Sequence, residues 1–359
     1  MRSRRTFLQS AAGTLAAFGL KSAAYSAPPG KTSPLPYVPI DQIPNHRQWM
    51  RDVVIALSDY CKKRHADMTV LVRNGPELLI KEKREADWQA ARDPGGSGLG
   101  HYSPVGSTDG PYLAAIDGML VDGLFFGFDA YDQPTRPSDQ SPLLAATSLL
   151  QNEGRRNLLI DYCQDAQHRK EAALRAKKAD LLTYLDGDGD KRLNRIPAVP
   201  PATENPRHIG ALSEAQNFLP VMTSTFFARR DSWLEALAAT NYDLLLVDPF
   251  FRGSSMTVQE VRALQFKRIG SRRLVYAPLP VGFAAVDRFF WQKGWHSGTP
   301  DWLGPADPDH PTRFLVSYWL DSWKQVLGRY VTGLCDLGVD GVVLEGVDSY
   351  LYYEAMLPF

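Results

Sequence analysis

In the stretch Asp340 to Tyr350, DGVVLEGVDSY, three apolar residues (Val342, Val343 and Leu344) form a short buried-strand pattern, with Glu345 and Asp348 at or just past its end. Seven earlier runs repeat this arrangement. Thr69 to Arg73 leads to Asn74 and Glu77, Gly118 to Phe128 to Asp129, Asn157 to Ile160 to Asp161, and Leu181 to Leu185 to Asp186. Leu244 to Val247 then leads to Asp248, Leu274 to Leu279 to Gly282, and Phe314 to Trp319 to Asp321. Most of the intervals can hold a helix or a long loop, and a β-then-α alternation repeated eight times is the pattern of a single (β/α)8 TIM-type barrel. Such barrels carry their chemistry at the carboxyl ends of the strands, where these acids would gather. Closure predicts that Val70 to Val72 pair in parallel with Val342 to Leu344, which brings Glu345 and Asp348 beside Asn74 and Glu77.

The chain has 359 residues, 44% of them hydrophobic and 11% aromatic, enough for a large core. Its first residues, Ser3-Arg-Arg-Thr-Phe-Leu8, precede a weakly apolar stretch and a small-residue site, which predicts a twin-arginine-type signal peptide over 1–26 and a periplasmic or secreted mature protein. No later run is long enough to cross a membrane, so no membrane association is expected after signal removal. Removing 1–26 takes away four basic residues and no acid, leaving 36 basic against 40 acidic and a net charge of −4. That balance argues against a nucleic-acid partner, which needs a basic face. Residues 27–44 hold six prolines and read as a linker, and the barrel is expected over 45–359.

Helical periodicity is expected at His46 to Lys63, Ser213 to Phe227, Asp231 to Thr240, Val258 to Phe266 and Leu320 to Leu337. The glycine-rich stretch from Glu85 to Gly110 is long for a barrel connection and is expected to form part of a substrate cleft. Asp186-Gly-Asp-Gly-Asp190 with Asn194 imitates a calcium loop, but Lys191 stands where glycine is needed and no glutamate holds the twelfth position, so a solvated acidic turn is expected. Three scattered cysteines, Cys61, Cys163 and Cys335, suit buried thiols, one disulfide being the alternative. No metal or cofactor is implied, because the histidines lack ligand spacing and no phosphate-binding or dinucleotide motif is present.

Two carboxylates facing across a cleft are the minimal apparatus for glycoside hydrolysis. Glu345 and Glu77 are the candidate catalytic pair. Asn74, Asp161, Asp248 and Asp348 are candidates for holding sugar hydroxyls or positioning that pair. Aromatics suit pyranose faces, and Trp291, Trp295, Trp302, Trp319 and Trp323 cluster beside Tyr318, with Tyr350, Tyr352 and Tyr353 at the end of the chain.

From about Met50 onward the chain resembles glycoside hydrolase family 114 and its bacterial relatives, the endo-α-1,4-polygalactosaminidase-like extracellular proteins often labelled as related to cysteinyl-tRNA synthetase. The resemblance is carried by Arg73-Asn-Gly-Pro-Glu-Leu78, Tyr112-Leu-Ala-Ala-Ile-Asp-Gly118, Leu158-Leu-Ile-Asp-Tyr-Cys163, Ala215-Gln-Asn-Phe-Leu219 and Thr240-Asn-Tyr-Asp-Leu-Leu-Leu-Val-Asp248. It continues through Val316-Ser-Tyr-Trp-Leu-Asp-Ser-Trp323 and Asp340 to Tyr350. It implies a (β/α)8 barrel acting on extracellular polysaccharide rich in α-1,4-linked galactosamine. Glu345 matches the catalytic aspartate of the family's final strand, with Asp348 and Tyr350 completing that motif, and Glu77 behind Asn74 is the counterpart of a catalytic glutamate. Arg288 and Gly282 match the ends of a GEAExxR motif whose two glutamates are absent here, and Tyr318 and Trp319 match a Tyr-Trp pair followed by Leu320 in place of an acid. These departures leave two readings open, an exported glycoside hydrolase-like enzyme or a non-catalytic polysaccharide-binding relative.

Overall fold

The computed structural model describes residues 43–92, 105–307 and 310–357. The expected signal peptide, nearly all of the linker and the centre of the glycine-rich stretch lie outside the described residues. Asn45 caps the first helix among the described residues, α1 (His46–Arg64), its side chain accepting from Gln48 N at 3.0 Å. The barrel strands follow as β1 (Thr69–Arg73), β2 (Gly118–Asp122), β3 (Leu158–Tyr162), β4 (Leu182–Asp186), β5 (Phe218–Val221), β6 (Leu244–Val247), β7 (Leu274–Pro280) and β8 (Gly341–Glu345). They form one parallel sheet in the order β4-β3-β2-β1-β8-β7-β6-β5. The expected closure is present, with Val70 opposite Val342, Leu71 opposite Val343 and Val72 opposite Leu344. β4 and β5 approach each other, Tyr184 and Phe218 placing their rings 6.1 Å apart, but no ladder joins them among the described residues.

In-register neighbours of a parallel sheet point the same way. Leu71, Leu120, Ile160, Tyr184, Leu246, Tyr276 and Val343 therefore share the inner face and are buried. The outer face carries Val70, Val72, Val121, Leu159, Val342 and Leu344, a β-branched and aliphatic surface against which helices pack. The helix before the last strand, α8 (Asp321–Leu337), buries Trp323, Val326, Leu327, Tyr330, Val331, Leu334 and Cys335 on one stripe and ends on Gly338 in the left-handed region (φ 78°). The other helices between strands are α2 (Lys83–Arg92), α3 (Gly110–Ala115), α4 (Pro137–Asn152), α5 (Ala166–Lys178), α6 (Arg230–Ala238) and α7 (Val258–Leu264), and α9 (Tyr350–Ala355) follows β8.

Two expected elements differ. The helix expected over Ser213 to Phe227 is instead a short 3-10 turn (Leu212–Glu214) followed by β5. Four residues including Pro220 give too short a strand signal, and Ala215, Leu219 and Met222 mimic a helical period. The run Phe314 to Trp319 is not a barrel strand. Its first residues end the strand His310–Val316, which pairs antiparallel with Phe283–Ala285 and Leu303–Asp307 in a three-stranded sheet inserted after β7. An apolar run cannot distinguish a barrel strand from a hairpin strand, so the count of eight holds with one substitution.

Candidate functional site

Arg73, Asp122, Tyr162, Asp186 and Glu345 end their strands on the inner face, so the sequence delivers five polar side chains to one end of the barrel. Arg73 organises three of the others. Its Nε donates to Asp122 Oδ2 at 2.5 Å and its Nη2 to Asp122 Oδ1 at 3.1 Å, while Nη1 donates to Glu345 Oε1. Nη2 also reaches Tyr162 Oη at 3.4 Å, and Tyr162 Oη donates to Asp122 Oδ1 at 2.8 Å. Asn74, held in the left-handed region (φ 60°), closes the clamp: its Oδ1 accepts from Asp122 N at 3.0 Å and its Nδ2 donates to Asp122 Oδ2 at 3.3 Å. Lys191 lies above this layer, its ammonium 5.2 Å from the Tyr162 ring centre and donating to the carbonyls of Gly127 and Phe128.

The charges are fixed by these contacts. Burial disfavours the Asp122 carboxylate, yet Arg73 and the hydrogen bonds from Tyr162 and Asn74 more than reverse this and hold its pKa below the usual range. Burial also opposes the Arg73 charge, and Asp122 and Glu345 overcome it, so its pKa lies well above the ordinary value. Asp186 is in the opposite condition. It is fully buried, neither carboxylate oxygen has a hydrogen bond of standard geometry, and burial with the nearby Asp188 raises its pKa to about 6. The expected solvated acidic turn is thus buried at its first residue, while Asp188 and Asp190 remain partly exposed.

Glu77 sits in the turn Pro76–Leu78, is 3% exposed and accepts from Tyr350 Oη at 3.2 Å. Closure brings the turns after β1 and β8 together. Gly75, at φ +69°, would place a Cβ 2.9 Å from Val347 Cγ2, so the contact requires glycine. Asp348 lies in the same turn, Val347–Ser349. Tyr350 is fully buried, with the Arg47 guanidinium 5.0 Å from its ring centre, and Arg47 pairs with Glu354. Glu345 and Glu77 are therefore on adjoining segments but in different networks, one around Arg73 and one around Tyr350.

Asp161 lies on the face of β3 opposite Tyr162, toward the helices, where it accepts from Phe125 N at 3.0 Å; burial raises its pKa to about 7. Asp248 forms a two-bond pair with Arg288, 2.9 Å and 2.8 Å, and accepts from Phe250 N at 3.2 Å. Burial raises the Asp248 pKa against the opposing pull of Arg288. Tyr318 is fully buried and donates to His46 O at 2.8 Å, and Trp319 packs on His46, Trp49 and Tyr353. These two aromatics bind the start of α1 to α9. Trp302 and Trp323 are core residues, whereas Trp291 and Trp295 are partly exposed in the connection between Phe283–Ala285 and Leu303–Asp307 of the inserted sheet.

Arg73, Asp122 and Tyr162 had no assigned role in the sequence. Asp122 lies inside the apolar run Gly118 to Phe128, which continues to Asp129. A signal was nevertheless present: an aspartate after Met-Leu-Val and before glycine repeats the Val-Val-Leu-Glu-Gly pattern of β8.

No family model matches the chain. An uncharacterized protein of Thermotoga maritima is 29% identical over 147 residues, covering 36% of this chain and 43% of that one. One of Deinococcus radiodurans is 33% identical over 160 residues, 44% and 47% of the two chains, and one of Methanocaldococcus jannaschii is 28% identical over 123 residues, 33% and 34%. The chain thus spans less than half the length of each of these relatives.

Proposed function

We propose that this protein is an exported glycoside hydrolase-like barrel that acts on an amino-sugar polysaccharide of the α-1,4-linked galactosamine type, at the barrel end where Glu345, Arg73 and Asp122 meet. The observation that carries this reading is the Asp122–Arg73–Glu345 array at the carboxyl ends of three adjacent strands. An ionised carboxylate held at a barrel mouth can stabilise the positive charge that develops on a sugar ring in the transition state, or attack it. The Glu345 side chain retains 15% exposure, against 8% for Asp122, so it is the more reachable of the two. In this reading Asp122 positions Arg73 and Arg73 positions Glu345, while Glu77 and Tyr350 support the turn beside them. Trp291 and Trp295 offer partly exposed faces for sugar rings.

A second reading is supported by the same array. Arg73 engages both acids, the glutamate at 345 carries its carboxylate about one carbon–carbon bond further than the related aspartate, and the segment after Gly282 lacks the two glutamates of the related motif, which suits a polysaccharide-binding protein without turnover. Incubation with a partially deacetylated α-1,4-galactosamine polymer, followed by an assay of reducing ends, separates the two. On the enzymatic reading Glu345→Gln lowers turnover by a factor on the order of 10³ with polymer binding little changed. Glu345→Asp, which withdraws the carboxylate by about one carbon–carbon bond, tests whether reach limits the native side chain. Binding without new reducing ends assigns the protein to the second reading, and neither binding nor cleavage removes both.

A further inference from the structure

The seam between α1 and α8 contains two of the three cysteines. α1 and α8 lie in parallel register: Tyr60 Oη and Thr332 Oγ1 are 2.6 Å apart, and one turn further on Arg64 Nη2 meets Asp336 Oδ1 at 2.5 Å. Cys61 and Cys335 occupy the inner side of the same turn, 0% and 1% exposed, and each thiol perturbs the ionisation of the other. Cys335 Sγ also stands 3.8 Å from Met68 Sδ, just before β1. Cys163, at the end of β3, is buried away from both and serves as an internal control.

We propose that Cys61 and Cys335 are a redox-responsive pair that closes to a disulfide in an oxidising environment, fastening α1 to α8. The inference is independent of the substrate. Paired hydrogen-bonding contacts on either side of the thiols hold the helices in place, so the sulfurs are already neighbours before any bond forms. The oxidant is a small-molecule or protein disulfide. One of the two thiolates attacks it, giving a mixed disulfide and one released thiol; the other then attacks the protein sulfur of that mixed disulfide and releases the second. Two protein thiols become one disulfide as the oxidant disulfide becomes two thiols.

The test is to expose the full chain to oxidised glutathione in two arms, folded and during refolding from denaturant, and to map non-reduced peptides by mass spectrometry. The expected product is a Cys61–Cys335 crosslinked peptide, lighter by about 2 Da than its reduced parts, with Cys163 still a free thiol. The oxidised protein should melt about 5 °C higher than the reduced one at one scan rate. Cys61→Ala and Cys335→Ala should each abolish both the crosslink and the redox dependence of melting. Only glutathione adducts or unchanged thiols in both arms, a crosslink through Cys163, or a melting shift that survives in either variant would overturn the proposal.

Discussion

Two arginines serve acids at or just past the ends of barrel strands, in different ways. Arg288 is directed at one acid: both its hydrogen bonds go to Asp248, the exposed Asp287 carboxylate lying 3.7 Å from its Nε, and the Phe250 N–H completes the coordination of Asp248. Arg73 is shared, with two bonds to Asp122 and one to Glu345. A one-to-one pair is self-sufficient, and its replacement by apolar residues costs little in principle. A shared arginine makes two carboxylates depend on one cation and keeps one of them at the edge of solvent, an arrangement suited to a site that meets a ligand. Asp186 gives the third case, an inner-face acid with no ion pair among the described residues and a raised pKa. The contrast separates a structural tie from a candidate chemical centre although both are arginine–carboxylate contacts.

Arg73→Met should have the largest effect. It leaves two like charges without their cation, and unfolding at pH 7 should show a loss of about 3–5 kcal/mol. Arg288→Met strands one acid whose pKa is already raised and should cost less; an equal loss would erase the distinction. The Asp122 pKa is depressed on folding, so its contribution is present above the unfolded value of about 4 and lost as pH falls through the folded value. The Arg73→Met deficit should therefore shrink in acid.

Asp186→Asn tests the opposite sign. A carboxyl whose folded pKa is raised to about 6 costs nothing below the unfolded value and destabilises progressively as pH rises from about 4 to 6. The variant should be more stable than the native protein by about 2–3 kcal/mol at pH 7 and equal to it near pH 4. A loss at pH 7 would place a hidden partner at Asp186. Tyr162→Phe should have the smallest effect, about 1 kcal/mol from the lost hydrogen bond to Asp122, read from the same unfolding curves. A loss as large as that of Arg73→Met would shift the centre of the array from the arginine to the tyrosine.

Seven of the eight strands were legible because a buried parallel strand is a continuous apolar run. β5 escaped because four residues with a proline give little signal, and the inserted sheet supplied a decoy at Phe314. The site was legible at Glu345 because its run is short and its acid terminal. Asp122 was not, because the apolar residues continue past it into Leu124, Phe125 and Phe126, a buried loop rather than more strand. Alternation along β1 and β8 would have turned Arg73 and Glu345 to one face, but only the register shows that they stand opposite each other. Asp161 and Tyr162 show the limit most clearly: adjacent residues at one strand end face the helices and the barrel interior respectively.

The unladdered gap between β4 and β5 makes the barrel mechanically a split ring. In the order of pairing, four strands lead from β1 to one lip of the gap and four from β8 to the other, so the β1/β8 joint lies diametrically across from it. When a split ring flexes, its lips travel furthest and the point opposite acts as the fulcrum. Arg73 and Glu345 are mounted on either side of that fulcrum, where breathing of the lips changes their separation least. Asp186 rides on one lip.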